Sequence, residues 1–244
     1  MTSMSCRSKS KKSSAVIPFV GRAREIREIT EALAAGTNVV IVGPYGIGRS
    51  ALVRQVAWSM RSRLRFVFAD FSGTPGEASD ALVAALAPVR AGQATSNPPG
   101  HKLRRFRIAR MDHGRKPTVV VLEDIARFTD PMARFIRFLE LRTDFRYVAI
   151  AERSMPPESL DALRARLSPS ILIRLGPLSQ PASTILLRRY GERHNLGWTN
   201  DEVRMAAACT VGRPARILEF VQRAVERRSG IAPAASRSNR NTRP

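Results

Sequence analysis

Five short runs in this chain are almost wholly apolar and rich in β-branched residues: NVVIV (38–42), RFVFADF (65–71), TVVVLED (118–124), RYVAIAE (146–152) and SILIRL (170–175). A strand with one wet face alternates apolar and polar side chains. Strands without that alternation are covered on both faces, as in a parallel sheet with helices on either side. The segments between the runs supply such helices. Ile26, Ile29 and Leu33 share a face before a break at Gly36, and Met132, Phe135, Ile136 and Leu139 share another. SALVRQVAWSMRSR (50–63), EASDALVAALAPV (77–89), HKLRRFRIARMDHG (101–114) and PESLDALRARL (157–167) also read as helices. The expectation is an α/β fold with a five-stranded parallel sheet sandwiched by helices.

After GPLS (176–179) the pattern changes. Residues 181–228 hold no strand candidate, only three helical stretches separated by NLGWTN and TVGRP. The expected organisation is an αβα domain over 17–177 and a small all-helical domain over 178–229. Residues 1–16 and 230–244 have the composition of disordered basic tails.

Between the first strand and its helix lies GPYGIGRS (43–50). Gly43, Gly46 and Gly48 let backbone N–H groups curl around phosphates, and the helix that follows adds its positive end. The predicted nucleotide contacts are Gly43, Pro44, Tyr45, Gly46, Ile47, Gly48, Arg49, Ser50 and Ala51, with the Ser50 hydroxyl offered to Mg²⁺. VVVLED supplies the complementary part, an acidic pair at the end of an apolar strand. Of this pair, Glu123 and Asp124, one carboxylate is expected to hold the Mg²⁺ shell and the other to orient an attacking water.

These residues resemble the AAA+-type P-loop ATPases, in the branch of origin-recognition/Cdc6-like initiators, transposition-helper ATPases and STAND NTPases. PFVGRAREIREI (18–29) is similar to the opening segment of that branch, which packs near the adenine and implicates Val20 and Gly21. DALRARL resembles the segment that bears an arginine finger, which implies that role for Arg166, with Arg164 second. TVGRPARIL resembles the sensor-2 motif of a helical lid and implies Arg216 at the γ-phosphate. The resemblance implies ATP and Mg²⁺ as ligands, ATP/ADP exchange, and homo-oligomers in which Arg166 completes the neighbour's site.

Three residues depart from the family pattern. Arg49 replaces the loop lysine, and its planar fork cannot place a compact ammonium between β- and γ-phosphates in the same way. Glu123-Asp124 reverses the usual Asp-Glu order, which puts the longer Glu123 at the metal and leaves the shorter Asp124 to reach the water. Glu152 stands where a neutral polar residue is usual, and a carboxylate there repels a γ-phosphate unless Arg49 or Arg153 compensates. Slow hydrolysis or binding alone is therefore expected ahead of efficient turnover.

Charge points to a polyanionic partner. The chain carries 41 basic and 20 acidic residues, a formal net charge of +21. Arginine bias explains why only five of the basic residues are lysine, but not the twofold excess over acids. Lys102, Arg104, Arg105, Arg107 and Arg110 are the predicted nucleic-acid contacts, seconded by the lid arginines. No sequence-reading module accompanies them, so the DNA binding expected is non-specific backbone contact. Cys6, Cys209, His101, His113 and His194 lack metal-ligand spacing. No run reaches membrane-spanning length and AVIPFV is too short for a signal-peptide core, so a cytoplasmic protein without membrane contact is expected. Two functions follow from this reading: a DNA-binding ATPase that oligomerises with nucleotide, or a STAND-like switch that binds nucleotide and a partner protein without DNA.

Overall fold

The computed structural model describes residues 19–86, 116–125, 127–141 and 144–229. In chain order the elements are α1 (Ala23–Ala34), β1 (Asn38–Gly43), α2 (Arg49–Met60), β2 (Arg65–Asp70), α3 (Pro75–Leu86), β3 (Thr118–Ile125), α4 (Asp130–Glu140), β4 (Arg146–Glu152), α5 (Pro157–Arg166) and β5 (Ser170–Arg174). Three helices follow: α6 (Gln180–Arg193), α7 (Asn200–Cys209) and α8 (Pro214–Arg228). The five strands form one parallel sheet in the order β2-β3-β4-β1-β5.

Side-chain alternation explains why the strands are apolar throughout. Val40, Val42, Val120, Leu122, Ala149 and Ala151 face one core, packed by α3, α4 and α5. Their neighbours Val39, Ile41, Val119, Val121, Val148 and Ile150 face a second core, packed by α1 and α2. Neither face is wet, so the middle of each central strand is wholly apolar and polar side chains stand only at the strand ends. Each buried valine, leucine or isoleucine here contributes about 1.5–3 kcal/mol on burial.

A third core, around Leu178, Leu187, Val203, Ala207, Ile217 and Val221, holds the last three helices together. Their starts are coded locally. Ser179 accepts from the Ala182 amide ahead of α6, and Thr199 and Glu202 form a reciprocal capping box on α7. Pro214 stands in the first turn of α8. Within this bundle the Gly212 carbonyl accepts from the Leu178 amide at 2.8 Å, which holds the turn between α7 and α8 against the segment that enters α6. Gly212 has φ 65°, and a Cβ there would run into the Leu178 carbonyl, so only glycine fits.

Element positions agree with the apolar periodicity, with small differences at the ends. The helix expected over 77–89 begins at Pro75, where Thr74 and Glu77 cap each other's backbone. β3 continues to Ile125 through a register shift after Leu122. The expected basic helix over 101–114 and both tails lie outside the described residues. Among the described residues, no helix is long and apolar enough to cross a membrane, and no group of three or more His, Cys, Asp or Glu could hold a metal. Cys209 is a free, exposed thiol.

Candidate nucleotide site

The strand order creates a crevice at the carboxyl ends. From β1 the chain runs past β4 and β3 to the β2 edge, whereas from β4 it crosses β1 to reach β5. Ligands of open α/β sheets sit where connections diverge in this way. The glycine loop occupies that point. Gly46 (φ 74°) and Gly48 (φ 93°) are left-handed, a conformation that strains any other residue here. Pro44 O accepts from the Ile47 amide, and Ile47 is buried, pinning the loop to the α1/α2 core. Gly43 lacks the Cβ that would lie 2.9 Å from Ile47 Cγ2. Tyr45 projects into solvent, 84% exposed. Beyond Gly48, the free amides of α2's first turn face the carboxyl edge of the sheet.

The lid rests on this loop. Ala215 N, in the first turn of α8, donates to Gly46 O at 3.1 Å, and a Cβ on Gly46 would come 2.6 Å from Ala215 Cβ. Arg216 is the next residue and is exposed. A cavity of about 140 Å³ opens between the segment ahead of α1, α2 and the lid; it is lined by Phe19, Val20, Arg22, Ile47, Leu186 and Tyr190. Apart from Arg22 these walls are apolar and aromatic, suited to a flat ring. Gly21 (φ 73°) and Arg22 (φ 66°) make the left-handed turn that brings Val20 there. The Arg22 guanidinium donates to Glu25 Oε1 and to Gly176 O, fastening this turn to the lid linker.

Arg49 does not project freely over the loop. It is 6% exposed, and Nη1 donates to the Ala151 carbonyl of β4 at 2.5 Å. Nη2 lies 3.9 Å from Glu152 Oε1, and Ser154 Oγ donates to Glu152 Oε2 at 3.1 Å. Glu152 is opposite Gly43 in the β1–β4 ladder. A buried hydrogen bond from a charged donor contributes about 1.5–3 kcal/mol, whereas a long, partly exposed ion pair contributes less than about 1. The Ala151 carbonyl therefore dominates the hold on Arg49, with Glu152 second.

The acidic pair is split by the shift in β3. Register breaks between Leu122 and Ile125, and Asp124 takes φ 56°. Glu123 turns inward, its side chain 18% exposed, while Asp124 is exposed. Arg54 Nη2 meets both Glu123 oxygens, at 3.1 and 3.4 Å, and the guanidinium lies 5.3 Å from the Phe68 ring centroid. Arg54 is absent from the sequence-derived set of site residues. It follows Ser50 by four, so a shared helix face was the available signal.

Arg166 lies at the other end of the sheet. Helix α5 descends from the carboxyl end of β4 to the start of β5, and Leu167 O accepts from Asn38 Nδ2, on the first residue of β1. The length of β1, about 20 Å, separates Arg166 from its own glycine loop. Arg166 Nε is 3.4 Å from Glu140 Oε2 without hydrogen-bond geometry. Burial pushes the Glu140 carboxyl above its ordinary range, against the pull of Arg166 and Arg137. Arg164 is 3.9 Å from Asp161. Lys102, Arg104, Arg105, Arg107 and Arg110 lie outside the described residues. On the lid, Arg188, Arg193, Arg216, Arg223, Arg227 and Arg228 are exposed; Arg188 donates to Asn200 and Arg223 to Glu219.

A parallel sheet in this order, with a glycine loop after β1, an acid-tipped β3 and a helical lid on the loop, defines a P-loop ATPase of the AAA+ type. The family model of the AAA ATPase domain matches residues 18–151, more than half of the chain, and the chain belongs to that family. Solved structures place the fold near the origin-recognition/Cdc6 type. The Orc1 protein of Aeropyrum pernix, solved in complex with DNA, superposes with a TM-score of 0.61 at 17% identity, over 90% of this chain and 63% of that one. Cdc6p of Pyrobaculum aerophilum gives 0.62 at 14%, over 89% and 65%. The RuvB Holliday junction branch migration motor of Thermotoga maritima gives 0.53 at 15%, over 84% and 62%. The chain thus spans less than two thirds of each of these proteins. No curated protein matches it by sequence.

Proposed function

We propose that this chain is an ATP-binding AAA+ ATPase with attenuated hydrolysis, which assembles with copies of itself in response to nucleotide and binds DNA without sequence preference, in a replication-initiator or transposition-helper type of role. The observation that carries the reading is the seating of α8 on the glycine loop through Ala215 and Gly46. A ligand in that loop and the position of the lid must then depend on one another. Val20, Gly21 and residues 43–51 are the nucleotide contacts in this reading. Arg216, in the first turn of α8, is the lid's route to the last phosphate. Ser50 and Glu123 are oxygen donors of the kind Mg²⁺ takes; bound Mg²⁺ would neutralise charge building on the phosphates. Asp124 orients the water. Arg166, too far from its own loop, acts on a neighbouring copy, which supports a homo-oligomer. Attenuated turnover rests on Arg49, held by β4, and on Arg54, engaged with Glu123.

DNA as the polyanion is supported by the net charge of +21, by Lys102, Arg104, Arg105, Arg107 and Arg110, and by the exposed lid arginines. The Orc1 relative in fold was solved with DNA bound, and RuvB is a branch migration motor. A nucleotide-dependent protein-interaction switch without DNA binding is the second reading. It is favoured by a groove on the lid between α7 and α8, where the apolar side chains of Trp198, Met205 and Phe220 stand beside Glu202, Arg223 and Arg227.

ATP turnover measured with and without duplex DNA across a salt series separates the two. The expected result is slow turnover that DNA accelerates at low salt, with the acceleration fading as salt rises. ATP binding with no DNA retention at any salt selects the switch instead.

A further inference from the structure

Two residues that are unusual for such a loop meet in this fold, and their meeting has a consequence for which nucleotide the site prefers. We propose that Glu152 is a specificity residue that works against the γ-phosphate, so that the site favours nucleoside diphosphates over triphosphates. This rests on the reading of the glycine loop as a nucleotide site.

The basic residue after the last loop glycine is the one that reaches the β- and γ-phosphates. Here that residue is Arg49, and both ends of its guanidinium are already engaged, by the Ala151 carbonyl and by Glu152 Oε1 at 3.9 Å. A terminal phosphate reaching for Arg49 therefore meets the Glu152 carboxylate in the same few ångströms. Placement of that carboxylate is not accidental to a floppy side chain. Glu152 closes β4, the strand hydrogen-bonded to β1, and its register partner is Gly43, the first glycine of the loop. Ser154 Oγ donates to the second carboxylate oxygen and fixes its direction.

The charges decide which phosphate suffers. Arg49 and Glu152 together contribute zero net charge, where a lysine with a neutral neighbour contributes one positive charge. The β-phosphate draws mainly on the loop and α2 amides, from Gly46 onward, and these do not involve Glu152. The γ-phosphate draws more on charged side chains, and of these Arg49 is paired with Glu152 while Arg216 comes only from the lid. A triphosphate thus adds negative charge where the protein has cancelled one of its own cations. Glu152 is only 37% exposed at its side chain, so water screens the repulsion incompletely. Cancelling one such partly screened cation corresponds to about tenfold in affinity.

The test is isothermal titration of the full chain with ADP and with the non-hydrolysable triphosphate AMP-PNP, each with Mg²⁺, for the wild type, Glu152→Gln and Ser154→Ala. The wild type is expected to bind ADP about tenfold more tightly than AMP-PNP. Glu152→Gln is expected to bring that ratio close to one, chiefly by improving AMP-PNP. Ser154→Ala keeps every charge but frees the carboxylate, and is expected to fall between the two; it also serves if Glu152→Gln fails to fold. Equal wild-type affinities, or a ratio unchanged in both variants, would overturn the proposal while leaving the nucleotide site intact. A wild type that binds neither ligand would overturn the nucleotide reading itself, and this inference with it.

Discussion

Replacing Gly46 by alanine is expected to push the lid off the phosphate loop. The added Cβ would stand 2.6 Å from Ala215 Cβ, about 1 Å inside an ordinary carbon–carbon contact. Overpacking of this kind costs about 1–3 kcal/mol. The φ of 74° adds about 1–2 kcal/mol for any residue with a Cβ. The lid can relieve the first part by lifting, at the loss of the Ala215 N to Gly46 O hydrogen bond, about 1 kcal/mol. The two parts separate in a double-mutant cycle. Ala215→Gly removes the opposing methyl, at about 0.5–1 kcal/mol of helix propensity. In the double variant the clash disappears and the backbone strain remains. Urea unfolding of the four proteins is therefore expected to show a coupling energy of about 1–3 kcal/mol, with the double variant more stable than the sum of the singles predicts. Limited proteolysis of the lid is expected to accelerate in Gly46→Ala and to recover in the double. Strict additivity, within about 0.5 kcal/mol, would refute the contact as the link between loop and lid.

Other expectations are more local. Arg54→Met frees the Glu123 carboxylate, and is expected to lower the Mg²⁺ concentration needed for nucleotide binding while costing less than about 1 kcal/mol of stability, since Arg54 is 59% exposed; a Mg²⁺ titration checks both the sign and the assignment of Glu123. Thr199→Ala removes the cap of α7 at a cost of about 1 kcal/mol by thermal melting. The Thr199 amide and hydroxyl hold the Glu202 carboxyl below its ordinary range. That contribution is present above the ordinary carboxylate range and is lost as pH falls through the depressed value, so wild type and variant are expected to converge in acid. Glu140 has the opposite sign. Burial raises its carboxyl, so wild-type stability relative to Glu140→Gln is expected to fall as pH rises through the raised value; a pH series of unfolding midpoints that runs the other way would contradict it.

Much of the fold was readable because its code is local. Five apolar runs marked five strands with both faces covered, and NLGWTN and TVGRP marked the breaks between the last three helices. The place of the glycine loop was legible for the same reason: Gly43, Gly46 and Gly48 shape one continuous piece of backbone between β1 and α2. The relation of Arg49 to Glu152 could be framed from the sequence only as one of two pairings. Strand order resolved it, because β4 inserts beside β1 and carries Glu152 opposite Gly43.

Other features had no local code at all. Arg54 meets Glu123 across 69 residues, Arg49 meets the Ala151 carbonyl across 102, and Ala215 meets Gly46 at the far end of the chain. The exposure of Asp124 and the inward turn of Glu123 come from the register shift in β3, which two adjacent acids do not announce. The sequence by itself determined which segments are strands, which are helices, and where the glycine loop turns between them, since these depend on periodicity and on glycine's freedom at positive φ. Only the tertiary structure decided which charges neutralise one another around that loop, because those distances are set by the order of strands in the sheet and by the docking of the lid.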